Sequence, residues 1–472
     1  MFNNIKIEYF FVLIAMLVGS ALIIITPPMG TPDENAHYMN SYSVSRGDLF
    51  PEMMGDDAVG KYVPESIMKY LNKNLEKRDR KGKDKYTYES MAVSSWITTN
   101  HSKSVFYNSE LTRINPICYI FSAFGMFLSM LISKIFPAMA EPYNLLVMGK
   151  LANLTMYISA IYLAIRKTPY FKRTMTLVAL MPMSIYLGAS VNYDALLIAM
   201  SMLLFATILK IVYSKEEYII DIKDIVSIIV CTIFLVAVKQ TCAPFLLALF
   251  VIPIKKFGNM KRYITCIGVT VGAAILAYLP TIYINAITSN YVNNTNEYII
   301  AQRNYLFGHI LHFPKIILHT IKMNLLYYIN SFFGRLGNLD IDFPMPFVFI
   351  FIGILLVVAI YEMSKLPKVT WKIRVFPLVA TIISVLGMYY MMYVTWTCYP
   401  NIAGVGVDYV SGIQGRYFIP MFLFMLLPFG NDLFAKFKLK TERKEVAELV
   451  IRNTILLYGI ITLFMVYIRF WK

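Results

Sequence analysis

The chain has 472 residues, of which 58% are apolar, 15% are aromatic and only 15% are charged. An ordinary soluble domain is about 25% charged, so this composition excludes a soluble globular protein and indicates an integral membrane protein. The net charge is +16, but much of the lysine and arginine lies in loops beside apolar segments. That placement predicts membrane lipids as partners, through their anionic headgroups, and no nucleic acid.

Apolar runs long enough to cross a bilayer core, about 17 to 25 residues, recur along most of the chain. The first ends at Ile25 and has no small-residue cleavage site before Pro27 and Pro28, so we interpret it as an uncleaved first span. Further runs lie near 116–136, 144–165, 174–190, 195–213, 224–238, 241–254, 263–286, 345–361, 375–395, 417–430 and 449–469. The runs predict an all-α integral membrane protein, a polytopic bundle of about 11–12 transmembrane helices, with residues 1–472 as one membrane domain.

Two long polar intervals interrupt the apolar runs. The first, 29–112, predicts a large extracytoplasmic loop subdomain. The second, 287–344, predicts another extracytoplasmic loop. Within it, the apolar pattern between Pro314 and Phe333 predicts a helix that lies at the membrane interface or dips into it.

The basic residues of the short loops predict the orientation of the chain in the membrane. Lysine and arginine cluster at 166–173, 255–262, 365–374 and 436–444, which are expected to be cytoplasmic. The opposite side then holds 192–194, 239–240, 287–344 and 396–416. An outer position for Asp33 requires an odd number of crossings before Arg166, but two apolar runs lie between them. Either 116–136 or 144–165 does not fully span the membrane, or the N-terminus lies outside, and we favour a re-entrant or interfacial segment.

A polar segment with two carboxylates and an imidazole follows the first span directly. Thr31 as N-cap, Pro32 at the first helical position and Glu34 three residues after the cap predict a capping box and a helix start. Asp33 and Glu34 then lie four and three residues before His37 and share one helix face. Two interpretations stay open: a chemical site, or a simple cap beside a solvated histidine.

Three charged residues lie within or at the edge of later apolar runs. Lys150 is interpreted as a snorkelling lysine in preference to a member of a buried ion pair. Asp194 is either a functional carboxylate at the outer membrane edge or a capping residue of the next helix. Lys239 would hold an anion such as phosphate if it faced inward, and would contact a lipid headgroup otherwise.

Two glycine-containing motifs precede late apolar runs. In Ser331-Phe332-Phe333-Gly334-Arg335-Leu336-Gly337-Asn338-Leu339-Asp340, the glycines predict a shaped loop. Its Arg335 and Asp340 could simply pair with each other. In the second motif, Gln414 precedes Gly415, Arg416 and Tyr417. The Arg416 guanidinium is suited to bidentate phosphate contact, and the alternative is an aromatic belt with an arginine at the headgroups.

Several common catalytic signatures are absent from the sequence. It contains no G-x-x-x-x-G-K-[ST] loop, no H-E-x-x-H and no G-x-S-x-G. The five cysteines are scattered without a C-x-x-C pair, and His309 and His312 lack a nearby carboxylate in sequence, so both are weak metal signals.

The motifs P-D-E-x-A-H, N-Y-D-A, S-F-F-G-R-L-G-N-L-D and Q-G-R-Y-F-I-P together resemble those of a bacterial family of uncharacterised polytopic membrane proteins. The resemblance covers nearly the whole chain. That family is similar to the GT-C glycosyltransferases, which are often associated with the synthesis of cell-surface polysaccharide or teichoic acid. Asn338 departs from the pattern, because a tryptophan is expected at this position of the glycine loop.

The resemblance implies a GT-C-like enzyme of the bacterial cytoplasmic membrane. Such an enzyme moves a sugar from a polyprenyl-phosphate donor to a cell-surface glycan acceptor outside the membrane. An acidic residue of the first outer loop is the base in these enzymes, which implies Asp33, or alternatively Glu34. His37 would orient Asp33 or contact the donor phosphate, and Asp194 would be a second carboxylate of the site.

Arg416 and Lys239 would neutralise the leaving phosphate in such an enzyme. Substrate contacts would also involve the side chains of Asn338, Asp340, Gln414 and Tyr417. No cofactor is required by the sequence, although a divalent metal held by Asp33 and Asp194 is compatible with it. Two other functions stay open: a transporter or flippase for a lipid-linked oligosaccharide, and a polymerase that joins whole repeat units.

Overall fold

The computed structural model describes residues 5–79, 85–87, 104–291, 297–367, 369–430 and 442–471. One basic loop interpreted from the sequence, 436–444, lies partly outside these ranges.

Long apolar helices dominate the described residues. Seven are long and apolar enough to cross a membrane: Ile7–Ile25, Pro142–Lys167, Asp194–Val212, Met260–Ile287, Met345–Met363, Trp371–Thr397 and Glu445–Trp471. Shorter apolar helices span Pro116–Ile132, Gln240–Val251 and Gly415–Phe429. The predicted class, an all-α polytopic membrane protein, is confirmed.

The elements are numbered here in chain order. The α-helices are α1 (Ile7–Ile25), α2 (Glu34–Ser45), α3 (Glu65–Asp79), α4 (Ile120–Ile132), α5 (Pro142–Lys167), α6 (Lys172–Ala179), α7 (Pro182–Gly188), α8 (Asp194–Val212), α9 (Ile222–Val238), α10 (Met260–Ile287), α11 (Glu297–Gly308), α12 (Phe313–Phe333), α13 (Met345–Met363), α14 (Trp371–Met392), α15 (Ile419–Leu426) and α16 (Glu442–Trp471). The strands are β1 (Glu52–Met53), β2 (Val59–Pro64) and β3 (Ser104–Asn108). Tighter 3-10 segments span Glu110–Arg113, Pro116–Tyr119, Pro137–Ala140, Gln240–Val251, Ile254–Phe257, Ile310–His312, Gly415–Phe418 and Leu427–Phe429, and a π-helical turn spans Tyr393–Thr397.

Fewer helices of spanning length are found than the apolar runs predicted, because several runs are folded as short or broken helices. The run at 174–190 is the clearest example. It consists of α6 and α7, and Pro182 occupies the first turn of α7. Proline lacks the N–H that a continuous helix would need, so one apolar run becomes two helices.

The centre of the bundle is α8, in which 89% of the most apolar window is buried, against 39% in α1 and 17% in α10. A helix that is apolar on every side is buried on every side. Its neighbours include α5, α9 and α15. Because α8 begins at Asp194, the central helix carries a carboxylate at its N-terminus.

The two runs that follow the first loop fold differently from each other. Helix α5 has 26 residues and meets the criteria for a membrane span, whereas α4 has 13 residues. The start of α4 packs against α2, where Ser41 Oγ lies 2.7 Å from Ser122 Oγ. That one of the two runs does not fully span the membrane stays a prediction.

The described part of the first polar interval contains a small α/β unit. Strands β1, β2 and β3 form an antiparallel sheet in that order, with Lys61 opposite Tyr107. Val63 of the sheet and Ile67 and Tyr70 of α3 are fully buried together beside α2. The sheet and α3 therefore pack over the segment that contains Asp33.

The second polar interval holds α11 and α12, and the helix predicted at 314–333 is present. Ile316 and Ile317 bury against Tyr389 and Tyr393 at the end of α14. The chain between α14 and α15 lies along α12, where the Val410 N–H donates to Thr320 Oγ1 at 2.8 Å. Helix α12 therefore supports the segment that leads to Arg416.

Candidate functional site

The polar segment after α1 turns sharply at Asp33. Helix α2 begins at Glu34, and Asp33 at its N-cap has φ 56° and ψ 18°, in the left-handed region that aspartate tolerates better than most residues. No side-chain capping bond is formed there. The predicted capping box of Thr31 and Glu34 is therefore wrong. The turn leaves Asp33 exposed and directs Glu34 into the protein.

Glu34 forms a buried salt bridge with Lys150. Its Oε1 lies 2.9 Å from Lys150 Nζ, and the side chains of Glu34 and Lys150 are 0% and 2% exposed. The interpretation of Lys150 as a snorkelling lysine is therefore wrong. An ammonium buried within a membrane helix needs a counterion, and the start of α2 supplies it. Glu34 thus attaches α2 to α5 and is shielded from any substrate.

His37 lies one turn further along α2 and is also buried. Its Nδ1 is 3.0 Å from Tyr119 OH, and its ring meets the Tyr193 ring edge-on at 5.0 Å between centroids. Burial lowers the pKa of His37 to about 3, and the positive charge of Arg416 contributes to the shift. The imidazole is therefore neutral at physiological pH. It can exchange hydrogen bonds but cannot attract phosphate by charge.

Asp194 faces Arg416 across the end of the central helix. Asp194 Oδ2 lies 3.5 Å from Arg416 Nε, with side-chain exposures of 10% and 4%. Asn192 Oδ1 accepts the N–H of Asp194 at 2.7 Å, a local bond in the turn that precedes α8. Tyr193 is the N-cap residue of α8 and no side-chain capping bond is formed, so the alternative that Asp194 caps this helix is wrong, and its carboxylate faces the guanidinium instead.

Arg416 is paired with Asp194 by charge, but two of its nitrogen donors form no hydrogen bond with the described residues. Its Nε and Nη1 are buried without a hydrogen-bond partner in the described part of the chain. Its charge interacts electrostatically with Asp33 as well as with Asp194. Buried donors are almost always satisfied, by protein, water or ligand. Arg416 is thus the group in this cluster best suited to receive an anion.

The backbone before Arg416 is held very close to α12. The Gly415 N–H donates to Ser331 Oγ at 2.7 Å, and a Cβ on residue 415 would stand 1.9 Å from the carbonyl oxygen of Tyr328. Only glycine fits this approach without a backbone shift. The Q-G-R-Y motif therefore needs its glycine in order to place Arg416 beside Asp194.

Lys239 joins the cluster through Tyr417. The Lys239 ammonium lies 3.7 Å from the centroid of the Tyr417 ring, and the Arg416 guanidinium carbon lies 5.5 Å from the same centroid. Two cations therefore contact one aromatic ring, an arrangement that stabilises each of them. Gln414 Oε1, just before this segment, is buried without a hydrogen-bond partner among the described residues.

The glycine loop makes contacts other than those predicted. Asp340 pairs with Arg469 of α16, with 2.6 Å between Oδ2 and Nη2, and Arg335 pairs with Asp342. The predicted pairing of Arg335 with Asp340 is therefore wrong. The reason is a tight turn with φ +63° at Gly337, which directs Asp340 towards the end of α16.

Asn338 lies in the same turn and is exposed. Its N–H donates to Asp340 Oδ1 at 3.0 Å. The described contacts of Asn338 and Asp340 therefore go to their own turn and to Arg469. The residues that the structure gathers are Asp33, His37, Asp194, Lys239, Arg416 and Tyr417.

Sequence reasoning missed two tyrosines of this cluster. Tyr119 provides the hydrogen bond of His37, and the Tyr193 ring packs against both His37 and Tyr119. A tyrosine at the end of an apolar segment usually needs a partner for its hydroxyl. Tyr193 is the second residue of the N-Y-D-A motif, so its place next to Asp194 was a signal that the sequence offered.

The side chains in this cluster do not form a set of ligands suited to a divalent metal held by Asp33 and Asp194. Within the described ranges, no group of three or more histidine, cysteine, aspartate or glutamate side chains is arranged to hold a metal ion. Asp194 already faces a guanidinium, so its negative charge is compensated. A carboxylate paired in this way is a poor ligand for a metal ion.

The fold and this cluster define a class: a polytopic α-helical membrane protein with a buried polar site at one end of an apolar bundle. The family described as "Predicted membrane protein (DUF2142)" matches residues 16–425. The chain belongs to that family, and the matched range includes Asp33, Asp194, Lys239 and Arg416. No curated protein and no solved structure matches the chain.

Proposed function

We propose that the protein is a membrane glycosyltransferase of the GT-C type. It would act at the outer face of the bacterial cytoplasmic membrane and use a polyprenyl-phosphate sugar to glycosylate a cell-surface polysaccharide or teichoic acid. One observation supports the proposal: Arg416 has two buried donors, Nε and Nη1, that form no hydrogen bond in the described part of the chain, and it lies within electrostatic range of the exposed carboxylate of Asp33. Sugar transfer from a phosphate donor requires these two groups, an anion receptor and a base.

The reaction follows from these roles. The acceptor hydroxyl oxygen attacks the anomeric carbon, and the bond between that carbon and the phosphate oxygen breaks. Asp33 takes the hydroxyl proton, and the bonding electrons leave with the polyprenyl phosphate. Arg416 and Lys239 stabilise the charge that develops on this phosphate. Glu34, locked to Lys150, supports the turn that exposes Asp33 and takes no part in proton transfer.

Replacement of Asp33 tests the proposal. We expect Asp33→Asn in the purified, folded protein to lower transfer from a radiolabelled polyprenyl-phosphate hexose by about 10²- to 10⁴-fold, because the amide cannot accept the proton. Asp48→Asn is the matched control, since Asp48 is an exposed aspartate of the same loop. Unchanged turnover in the Asp33 variant would show that Asp33 is not the base of the reaction.

One observation favours a transporter or flippase for a lipid-linked oligosaccharide as the second candidate. Lys150 of the Glu34–Lys150 pair lies within α5, a helix long and apolar enough to cross a membrane, and charged residues inside such helices often line a translocation path. In proteoliposomes, movement of a lipid-linked oligosaccharide between leaflets without a new glycosidic product would support this candidate. Covalent product without such movement supports the transferase, and the length of that product separates a transferase from a polymerase.

A further inference from the structure

A second polar cleft lies outside the Arg416 cluster. It has a volume of about 480 Å³ and is lined by Tyr305, His312, Lys315, Ile316, His319 and Asp408. Ser331, which contacts Gly415 beside Arg416, lies twelve residues beyond His319 on α12 (331 minus 319). At a rise of about 1.5 Å per residue, the cleft is about 18 Å along the helix from that contact.

Positive and hydrogen-bonding groups line one side of this cleft. His312, Lys315 and His319 are spaced three and four residues apart, so they share one face at the start of α12. The acidic lining residue, Asp408, contacts His319: its carbonyl oxygen lies 3.0 Å, and its Oδ2 3.2 Å, from His319 Nδ1. Because a carbonyl only accepts, Nδ1 carries the proton. Because His319 is held by Asp408, His312 and Lys315 are the basic lining groups left for an anionic ligand.

An apolar tip adjoins the cleft in the sequence and in space. Phe307, Ile310 and Leu311 immediately precede His312 and are 65%, 60% and 83% exposed. Large apolar side chains with this much exposure mark an interaction surface. Apolar residues beside basic residues at a helix start are typical of a segment that sits at the boundary between lipid headgroups and acyl chains.

We propose that this cleft binds the phosphate headgroup of an anionic membrane lipid. Lys315 and His312 contact the phosphate, and the acyl chains of the same lipid cover Phe307, Ile310 and Leu311. A free phosphate ion would fit the basic groups but would leave the apolar tip in water, so the two features together select a lipid. The site is separate from the Arg416 cluster, and its occupancy does not depend on sugar transfer.

Lipid retention measures this binding directly. The full chain is reconstituted in phosphatidylcholine nanodiscs that contain a minor fraction of phosphatidic acid, and the lipid that remains after detergent extraction is identified by native mass spectrometry. We expect selective retention of phosphatidic acid. Because a lysine near an anionic membrane surface contributes about 1 kcal/mol, Lys315→Ala should lower retention about fivefold. A triple variant that combines Lys315→Ala with His312→Ala and His319→Ala should lower the retention further.

Two further variants separate the possible ligands. Lys322→Ala is the matched control, an exposed lysine of α12 that does not line the cleft, and it should retain phosphatidic acid as the wild type does. Leu311→Ser should reduce retention if acyl chains cover the tip. The proposal is overturned if inorganic phosphate displaces the lipid while Leu311→Ser has no effect. It is equally overturned if the triple variant retains the lipid with an unchanged unfolding temperature.

Discussion

The salt bridge between Glu34 and Lys150 determines what each residue around it can do. Both side chains are almost fully buried, so the loss of either partner leaves an uncompensated charge in an apolar environment. We therefore expect Glu34→Gln and Lys150→Met each to destabilise the protein by about 3 to 5 kcal/mol. The measurement is the unfolding free energy in detergent.

The double variant distinguishes this explanation from simple loss of packing. Glu34→Gln combined with Lys150→Met removes both charges together, and we expect it to be more stable than either single variant. Strictly additive losses would mean that the two side chains act independently. Lys69→Met with Glu65→Gln is the exposed comparison, because that pair lies at 3.3 Å on the surface of α3 and should contribute at most about 1 kcal/mol.

The buried imidazole of His37 predicts a specific dependence of stability on pH. Its pKa falls from 6.5 to about 3 in the folded protein, so between these values the unfolded chain binds the proton more strongly. Above pH 6.5 the imidazole is neutral in both the folded and the unfolded state, and it costs no stability. As the pH falls from 6.5 towards 3, the unfolded chain gains a proton that the folded protein does not, so stability is lost. Between pH 6.5 and pH 5 we expect a loss of about 2 kcal/mol, which follows from 1.36 kcal/mol per unit.

A histidine-to-glutamine series tests this dependence. His37→Gln should flatten the decline in unfolding temperature between pH 6.5 and pH 5, because glutamine does not titrate. His309→Gln is the control, since His309 is exposed, and it should retain the slope of the wild type. If the unfolding temperature declined with pH equally in both variants, titratable groups other than His37 would be responsible for the pH dependence.

At the residue scale, the sequence could predict which side chains share one membrane face but not which of them pair. Loop charge assigned Asp194, Lys239 and Arg416 to a common side, and the structure brings these three together. The sequence did not reveal that Glu34 pairs with Lys150, because the partners are 116 residues apart (150 minus 34). Nor did it reveal that Asp340 reaches Arg469, since that contact depends on how α16 packs.

At the element scale, the contact between Gly415 and α12 explains how a loop can position Arg416. A Cβ at residue 415 would meet backbone atoms of Tyr328 and Phe332, which cannot move aside as a flexible side chain can. We expect Gly415→Ala to cost about 1 to 3 kcal/mol and to lower activity through displacement of Arg416. Unfolding temperature and the transfer assay measure these two effects.

Gly353→Ala is the matched control for this substitution. Gly353 lies within α13, and a Cβ there would meet no atom within 4 Å. Alanine has the higher helix propensity, so this variant should be neutral or slightly more stable. If Gly415→Ala behaved in the same way, α12 could not be what fixes the position of Arg416.

The sequence predicted where helices lie better than it predicted the residues at which they begin and end. The sequence placed a helix start near Thr31, but α2 begins at Glu34 because the Glu34 carboxylate binds Lys150 instead of the backbone. Likewise, apolar composition alone did not divide the run at 174–190 into α6 and α7. Long-range partners decide both boundaries, and such partners are invisible in a local pattern.

At the scale of the whole molecule, the fold places the ends of several helices at one level. Asp33 follows α1, Asp194 begins α8, Lys239 ends α9 and Arg416 precedes α15. Arg416 pairs with Asp194, shares the Tyr417 ring with Lys239 and interacts electrostatically with Asp33, so all four helix ends lie at the same end of the bundle. Composition could predict the class of fold, and loop charge could predict this shared end. The geometry of the cluster could not be predicted, because it depends on how broken helices pack.

The orientation of that shared end is open to direct measurement. If basic loops are cytoplasmic, Asn338 faces the outside and Glu216 the cytoplasm, and both residues are exposed. The native cysteines are buried, so introduced cysteines can be labelled against a low background. We expect a membrane-impermeant maleimide to modify Asn338→Cys in intact cells and Glu216→Cys only after lysis. The reverse pattern would place Asp33 and Arg416 in the cytoplasm, where an acceptor on the cell surface could not reach them, and would refute the proposed transferase.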